Sequence, residues 1–180
     1  MNIFEYIFPK QCLICSKVGE NICNNCIKEI PYTLPSCFIC NSLSNEYYTH
    51  KDCLEYKVQC FTGWYISKEL EISLKKKTDL GIYSTHIQLL DVLISHLNLN
   101  KIVENSNVYP IIGKSKDENT LNRILVESIY TSKENKLDTL LIGNRILNKE
   151  ELKEQIKGLS KEPSHIRILI LFTSPTPGLL

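Results

Sequence analysis

The residues best equipped for chemistry are the eight cysteines, all of which fall between Cys12 and Cys60. Seven of them are paired: Cys12-x2-Cys15, Cys23-x2-Cys26, Cys37-x2-Cys40 and, with a histidine in first place, His50-x2-Cys53. Two intervening residues let one tight turn aim both side chains at a single ion, and two such turns complete a tetrahedron around zinc, which suits soft thiolate donors. Eight ligands therefore imply two structural zinc sites, one with four cysteines and one with three cysteines and a histidine. Spacing alone leaves the pairing open, since the pairs can combine sequentially or interleave. His50 also has a plainer reading, as a solvated histidine beside Tyr47 and Tyr48. Cys60 stands outside the pattern and reads as a small hydrophobe in a strand.

A disulfide framework is the competing use of so many cysteines. The first residues carry no basic region and include Glu5, unlike a secretory signal, so a cytoplasmic location is expected. In that compartment clustered cysteines bind metal more often than they cross-link. The longest uninterrupted apolar run, Ile168 to Phe172, is far too short to span a bilayer, and no membrane insertion is expected.

Charge narrows the partners. There are 21 basic and 20 acidic residues, a net of +1, and only three of the basic residues are Arg. This balance gives no strong electrostatic footprint for duplex DNA or anionic lipid, and forked phosphate contacts are scarce. The metal module explains how its own stretch folds: residues 10–54 hold few large aliphatics, and a structural zinc supplies on the order of 10 kcal/mol.

The elements that would hold these residues follow from periodicity. Residues 3–8 have helical spacing up to Pro9, and Asn25 to Ile30 adds a turn of helix before Pro31. Val58 to Ser67 is β-branched and aromatic and reads as a strand. Lys68 to Lys77 reads as a helix ending in Lys75, Lys76 and Lys77, a solvated and dipole-stabilised terminus. Ser84 to Leu97 is a second helix with Ser84 as its cap, and His86 and His96 are placed on its surface. Strands at Val108 to Ile112, Leu137 to Ile142 and Ile166 to Phe172 then alternate with helices at Asn119 to Tyr130 and Lys149 to Lys157. That alternation predicts a parallel α/β sheet, with ligand loops at strand carboxyl ends, after Ile112 and after Phe172.

In this order the chain resembles the ComF family of bacterial competence proteins, which join a double zinc ribbon to a type I phosphoribosyltransferase domain. The segments that carry the resemblance are IFPKQCLIC with ICNNCIKEIP, LKKKTDLG, VYPIIGKSKDENTLNR with Asn122 before its helix, and NKEELKEQIKGL. It implies a zinc-ribbon module over residues 1–57 and a phosphoribosyltransferase-like α/β domain over 58–180. Members of the wider fold class hold phosphoribosyl pyrophosphate with two acidic residues and a Thr-Thr-Gly loop after the third core strand. Aligned on Gly178, the acidic pair becomes Phe172 and Thr173, and Ser174, Thr176 and Gly178 are what is left of the loop. Pro175 and Pro177 each remove an N–H from the phosphate cradle. The loop after Ile112 offers Lys114 and Lys116, with Asp117 and Glu118, where the family has arginines. The chain stops at Leu180, where the family continues, so the last strand is expected to expose an edge or face that a second copy or a partner completes.

Three functions follow from this resemblance. A non-catalytic zinc-stabilised scaffold would act in DNA uptake with competence proteins, or on single-stranded DNA, through Lys75, Lys76, Lys77, Lys114, Lys116 and Asn122. An active phosphoribosyltransferase would add magnesium to the two zinc ions. A zinc-ribbon adaptor with a decayed second domain is the third.

Overall fold

The structure, a computed structural model, describes residues 9–55, 57–113, 115–129, 138–145, 149–159 and 165–173. The expected helix over residues 3–8 lies outside these. Helix α1 (Asn24–Glu29) comes first, followed by a 3-10 turn at Asn45–Tyr47. Then come β1 (Val58–Tyr65), α2 (Lys68–Asp79), α3 (Ser84–His96), α4 (Asn100–Asn105) and β2 (Ser106–Pro110). The order closes with α5 (Lys116–Ser128), β3 (Asp138–Arg145), α6 (Lys149–Leu159) and β4 (His165–Thr173).

The four strands form one sheet in the order β1-β4-β3-β2, and every pair is parallel. This confirms the α/β expectation. Strands buried on both faces read as near-continuous apolar runs, which is how Ile166 to Phe172 reads. Alternation then sends neighbours to opposite faces. Leu140, Ile142, Leu169 and Leu171 enter one core, with Leu70 and Leu74 of α2, Leu89 and Leu93 of α3, and Leu125 of α5. Leu141, Ile168 and Ile170 enter the other, with Leu152 and Ile156 of α6.

The cysteine-rich segment is divided between these two cores. Cys12, Ile22, Cys23, Cys26, Ile27 and Ile30 belong to the first, whereas Phe38 and Leu54 belong to the second. The module therefore straddles the outer edge of β1. Its backbone closes that edge in antiparallel fashion, through bridges of Tyr32 with Trp64 and Tyr48 with Gln59. Tyr65 N–H donates to Pro31 O at 2.9 Å, and Thr49 N–H donates to Val58 O at 2.8 Å.

Several expectations are corrected. The last strand, β4, lies inside the sheet between β1 and β3, so it exposes no edge. β2 forms the other margin, and its Pro110 fits there because proline cannot donate to a further strand. Among the described strands, β2 is the margin where a further strand could join. The strand expected at Val108 to Ile112 begins earlier, at Ser106, directly after α4, a six-residue helix too short to show a period. Ser84 is the first helical residue rather than the cap; Tyr83 holds the cap position with no side-chain bond. His86 is not on the surface: it is 2% exposed and packs edge-on against Phe172. His96 is exposed and stacks on Tyr32, with ring centres 3.9 Å apart.

Candidate metal centres

Each half of the cysteine segment opens with the same knuckle, repeated 25 residues apart. Cys12 N–H donates to Lys17 O, and Ser16 N–H returns to Cys12 O. Cys37 N–H donates to Ser42 O, and Asn41 N–H returns to Cys37 O. Bridges Gln11–Val18 and Ser36–Leu43 pin the two turns at equivalent places. The residue that closes each knuckle takes the left-handed conformation, with φ of 61° at Ser16 and 62° at Asn41. Asparagine tolerates this conformation better than most residues do. The knuckle brings Cys12 near Cys15, and Cys37 near Cys40.

The second pair of each half comes from a different element. Cys23 is the residue before α1 and Cys26 lies in its first turn. His50 and Cys53 sit on a short turn in which Cys53 N–H donates to His50 O at 3.0 Å. The ligand atoms gather sequentially: Cys12, Cys15, Cys23 and Cys26 form one cluster, and Cys37, Cys40, His50 and Cys53 the other. Within each, all donor atoms lie within 4.8 Å of one another. The interleaved alternative is thereby excluded.

The geometry fits zinc. Four sulfurs about 2.3 Å from a tetrahedral ion stand about 3.8 Å apart, and the Sγ atoms of Cys15 and Cys23 are 3.7 Å apart. His50 Nδ1 lies 3.3 Å from Cys40 Sγ, while its Nε2 faces the Leu43 carbonyl oxygen at 3.1 Å. An Nε2–H donated to that carbonyl fixes the tautomer and leaves the Nδ1 lone pair for metal, the usual arrangement of a ligating histidine. This carbonyl had no sequence signal, because it depends on the Ser36–Leu43 bridge.

The electrostatics point the same way. At Cys12, burial works to raise the pKa, but backbone N–H groups of Cys15, Cys23 and Ile14 outweigh it and bring the thiol down to about 6. The backbone at Ser42 does most to lower Cys40 to about 6. Burial and the neighbouring sulfurs push Cys26 up, and Cys53 up to about 11. Four thiols this close cannot all ionise against one another, and a dication resolves the conflict. The two clusters fit two zinc ions. Cys60 is fully buried in β1 and belongs to neither.

The remaining expected site residues fall around a crevice of about 340 Å³ at the carboxyl ends of β1, β3 and β4. Ile66, Leu74, Leu121 and Phe172 form its apolar walls, and His86 and Asn144 also line it. Among the described residues its charged groups are Glu71, Lys75, Asp79, Asp117, Glu118 and Arg145. Arg145 is paired with Glu71 at 2.6 Å and Lys75 with Asp79 at 3.2 Å. The expected ligand loop after Ile112 does reach this crevice, through Ser115, whose hydroxyl caps α5 by accepting from Glu118 N–H.

The expected phosphate contacts are dispersed. Lys75, Lys76 and Lys116 are exposed. Lys77 is turned inward, donating to Asn21 Oδ1 and Thr85 Oγ1, which corrects its reading as a solvated residue. Asn122 is fully buried, donates to Ile111 O and accepts from Asn144 N–H, so it ties β3 to the segment after β2 and is closed off from a phosphate in solution. Phe172 is buried and Thr173 is half-buried at the end of β4. Lys114, Ser174, Thr176 and Gly178 lie outside the described residues.

No curated protein and no solved structure matches the chain. Residues 3–54 match the family model of the double zinc ribbon domain, which is the fold of metal module that the two four-ligand clusters build.

Proposed function

We propose that this protein is a ComF-like, non-catalytic binding protein, a zinc-stabilised scaffold acting on single-stranded DNA or in DNA uptake, with competence proteins as partners. The observation that carries the non-catalytic part is the crevice at the strand ends. Among the described residues its lining holds four acidic and two basic side chains, and Phe172 lies buried where the resembled enzymes place a carboxylate. A polyanion such as phosphoribosyl pyrophosphate is disfavoured there. The strand contacts in this reading are Lys75, Lys76 and Lys116, joined by Lys114, and their small number makes binding weak and salt-sensitive. In this reading residues 1–57 and 58–180 are two sequence modules, and their close association is supported by described buried side chains of both that contribute to both cores.

The test is binding of a labelled single strand at low salt, with phosphoribosyl pyrophosphate as competitor. The expected result is binding that the competitor leaves intact and that Lys75→Gln, Lys76→Gln and Lys116→Gln together weaken. Magnesium-dependent competition would instead favour the phosphoribosyltransferase reading. Unchanged affinity in the triple variant would remove the nucleic-acid assignment. Limited proteolysis that spares the chain beyond residue 61 would separate the scaffold from an adaptor with a decayed second domain.

A further inference from the structure

Lys77 and Lys149 cross from the α/β domain to the cysteine segment, from helices that pack on opposite faces of the sheet. Lys77, in the last turn of α2, donates to Asn21 Oδ1 at 3.1 Å and to Thr85 Oγ1 at 3.3 Å. Lys149, the first residue of α6, donates to Ile39 O at 2.8 Å and to Asn41 Oδ1 at 3.0 Å. Each reaches a different metal cluster. Ile39 and Asn41 flank the ligand Cys40. The carbonyl of Asn21 accepts from Leu13 N–H, inside the Cys12–Cys15 turn, and two residues further on Cys23 N–H donates to Cys12 Sγ at 3.4 Å.

Both side chains are half-buried, and among the described residues the oxygens that accept from them are neutral. A cation drawn out of water loses hydration that neutral acceptors replace only in part, so it calls for an opposite charge. The metal clusters supply it. Zinc held by four thiolates is doubly negative, and zinc held by three thiolates and a neutral histidine is singly negative. The charges are close enough to act on one another. Burial pulls the Lys77 pKa down, and the Cys12 thiolate opposes that pull. At the second centre Cys60 marks the proximity: burial raises its pKa most, Cys37 adds to the rise and Lys149 opposes it.

We propose that Lys77 and Lys149 are positioning residues of the two zinc centres, one lysine to each, whose positive charge stabilises the anionic metal–thiolate cluster and ties metal retention to the docked α/β domain. The linkage is reciprocal: what the docked helices add to metal affinity, the metal returns to docking. This assignment rests on the two zinc centres and is independent of the nucleic-acid reading, which has a separate readout.

The experiment exposes the zinc-loaded full chain to excess chelator and N-ethylmaleimide, and follows alkylation of each cysteine by peptide mass spectrometry. Cys60 is fully buried and belongs to neither cluster, so its labelling reports opening of the whole fold. Lys77→Gln keeps N–H donors and removes the charge. It should speed labelling of Cys12, Cys15, Cys23 and Cys26 by about tenfold or more, the scale on which loss of an outer partner weakens a metal site. Cys37, Cys40, Cys53 and Cys60 should keep their rates. Lys149→Gln should do the reverse, opening the second cluster and sparing the first. Arginine retains the charge, so Lys77→Arg and Lys149→Arg should stay within about threefold of the unmodified chain. Unchanged labelling in either glutamine variant overturns the proposal. So does acceleration that spreads to the other cluster or to Cys60, which marks a merely structural role, or arginine variants as labile as the glutamine ones.

Discussion

The backbone N–H of Thr33 donates to the carbonyl oxygen of Gly63 at 2.9 Å. The same threonine's hydroxyl lies 2.8 Å from Thr62 O and 2.6 Å from Thr62 Oγ1. The zinc module thus completes the sheet edge as an added strand would, and metal and sheet are coupled through it.

That coupling predicts what metal loss does. The native protein should contain two zinc ions per chain, and Cys12→Ser and Cys37→Ser should each lower the content to one. Stripping both with a strong chelator should free the β1 edge, because zinc supplies most of the module's folding free energy. An exposed edge is a template for self-pairing, so light scattering should rise on chelation and fall on zinc return. A monomeric, fully folded apo-protein would contradict this.

His50 has a ligand role that its Leu43 contact makes specific. His50→Cys preserves a four-ligand site, and both zinc ions should remain. His50→Ala should lower affinity at the second site selectively, by at least the roughly 10- to 100-fold seen when ligand-orienting partners are lost. Competition with a chromogenic chelator measures both variants.

Gly63 is required by closeness rather than by turn geometry. A Cβ there would press on the Leu171 carbonyl oxygen and sit 3.0 Å from Leu93 Cδ2. Leu171 lies in β4 between Ile170 and Phe172, which both pair with β1, so its carbonyl cannot swing aside. Gly63→Ala should destabilise the fold by about 1–3 kcal/mol, read from denaturant midpoints.

Asn122 should behave as a structural clamp. Asn122→Ala strands the Ile111 carbonyl and the Asn144 N–H, two buried groups, at about 2–4 kcal/mol in total. Its single-strand binding, measured where the variant is still folded, should equal that of the unmodified chain. A specific loss of binding would restore Asn122 to the contact surface.

Acid stability should carry the signature of His86. Its folded pKa of about 4 lies below the ordinary histidine value of about 6.5. The unfolded chain therefore takes up the proton first as pH falls. The stability contribution is whole above about pH 6.5 and declines toward pH 4, by up to about 3 kcal/mol. Zinc ligands titrate in the same range, so the comparison with His86→Phe is what isolates it: that variant should lose less stability between pH 6.5 and 4.

The sequence by itself determined the eight ligands, the count of two metal sites, the parallel α/β alternation and the isolation of Cys60. These are legible because each is local: a Cys-x2-Cys turn, a period of helix or strand, a buried run flanked by breakers. The tertiary structure alone decided that ligand pairs combine sequentially, since this follows from how Gln11–Val18 and Ser36–Leu43 close their turns. It alone placed β4 inside the sheet, turned Lys77 and His86 inward, and used Asn122 as a clamp. It also divided the zinc module between two cores on either side of β1. Each of these depends on residues far apart in the chain meeting across a sheet, and the pattern of one segment carries no record of which distant segment will cover it.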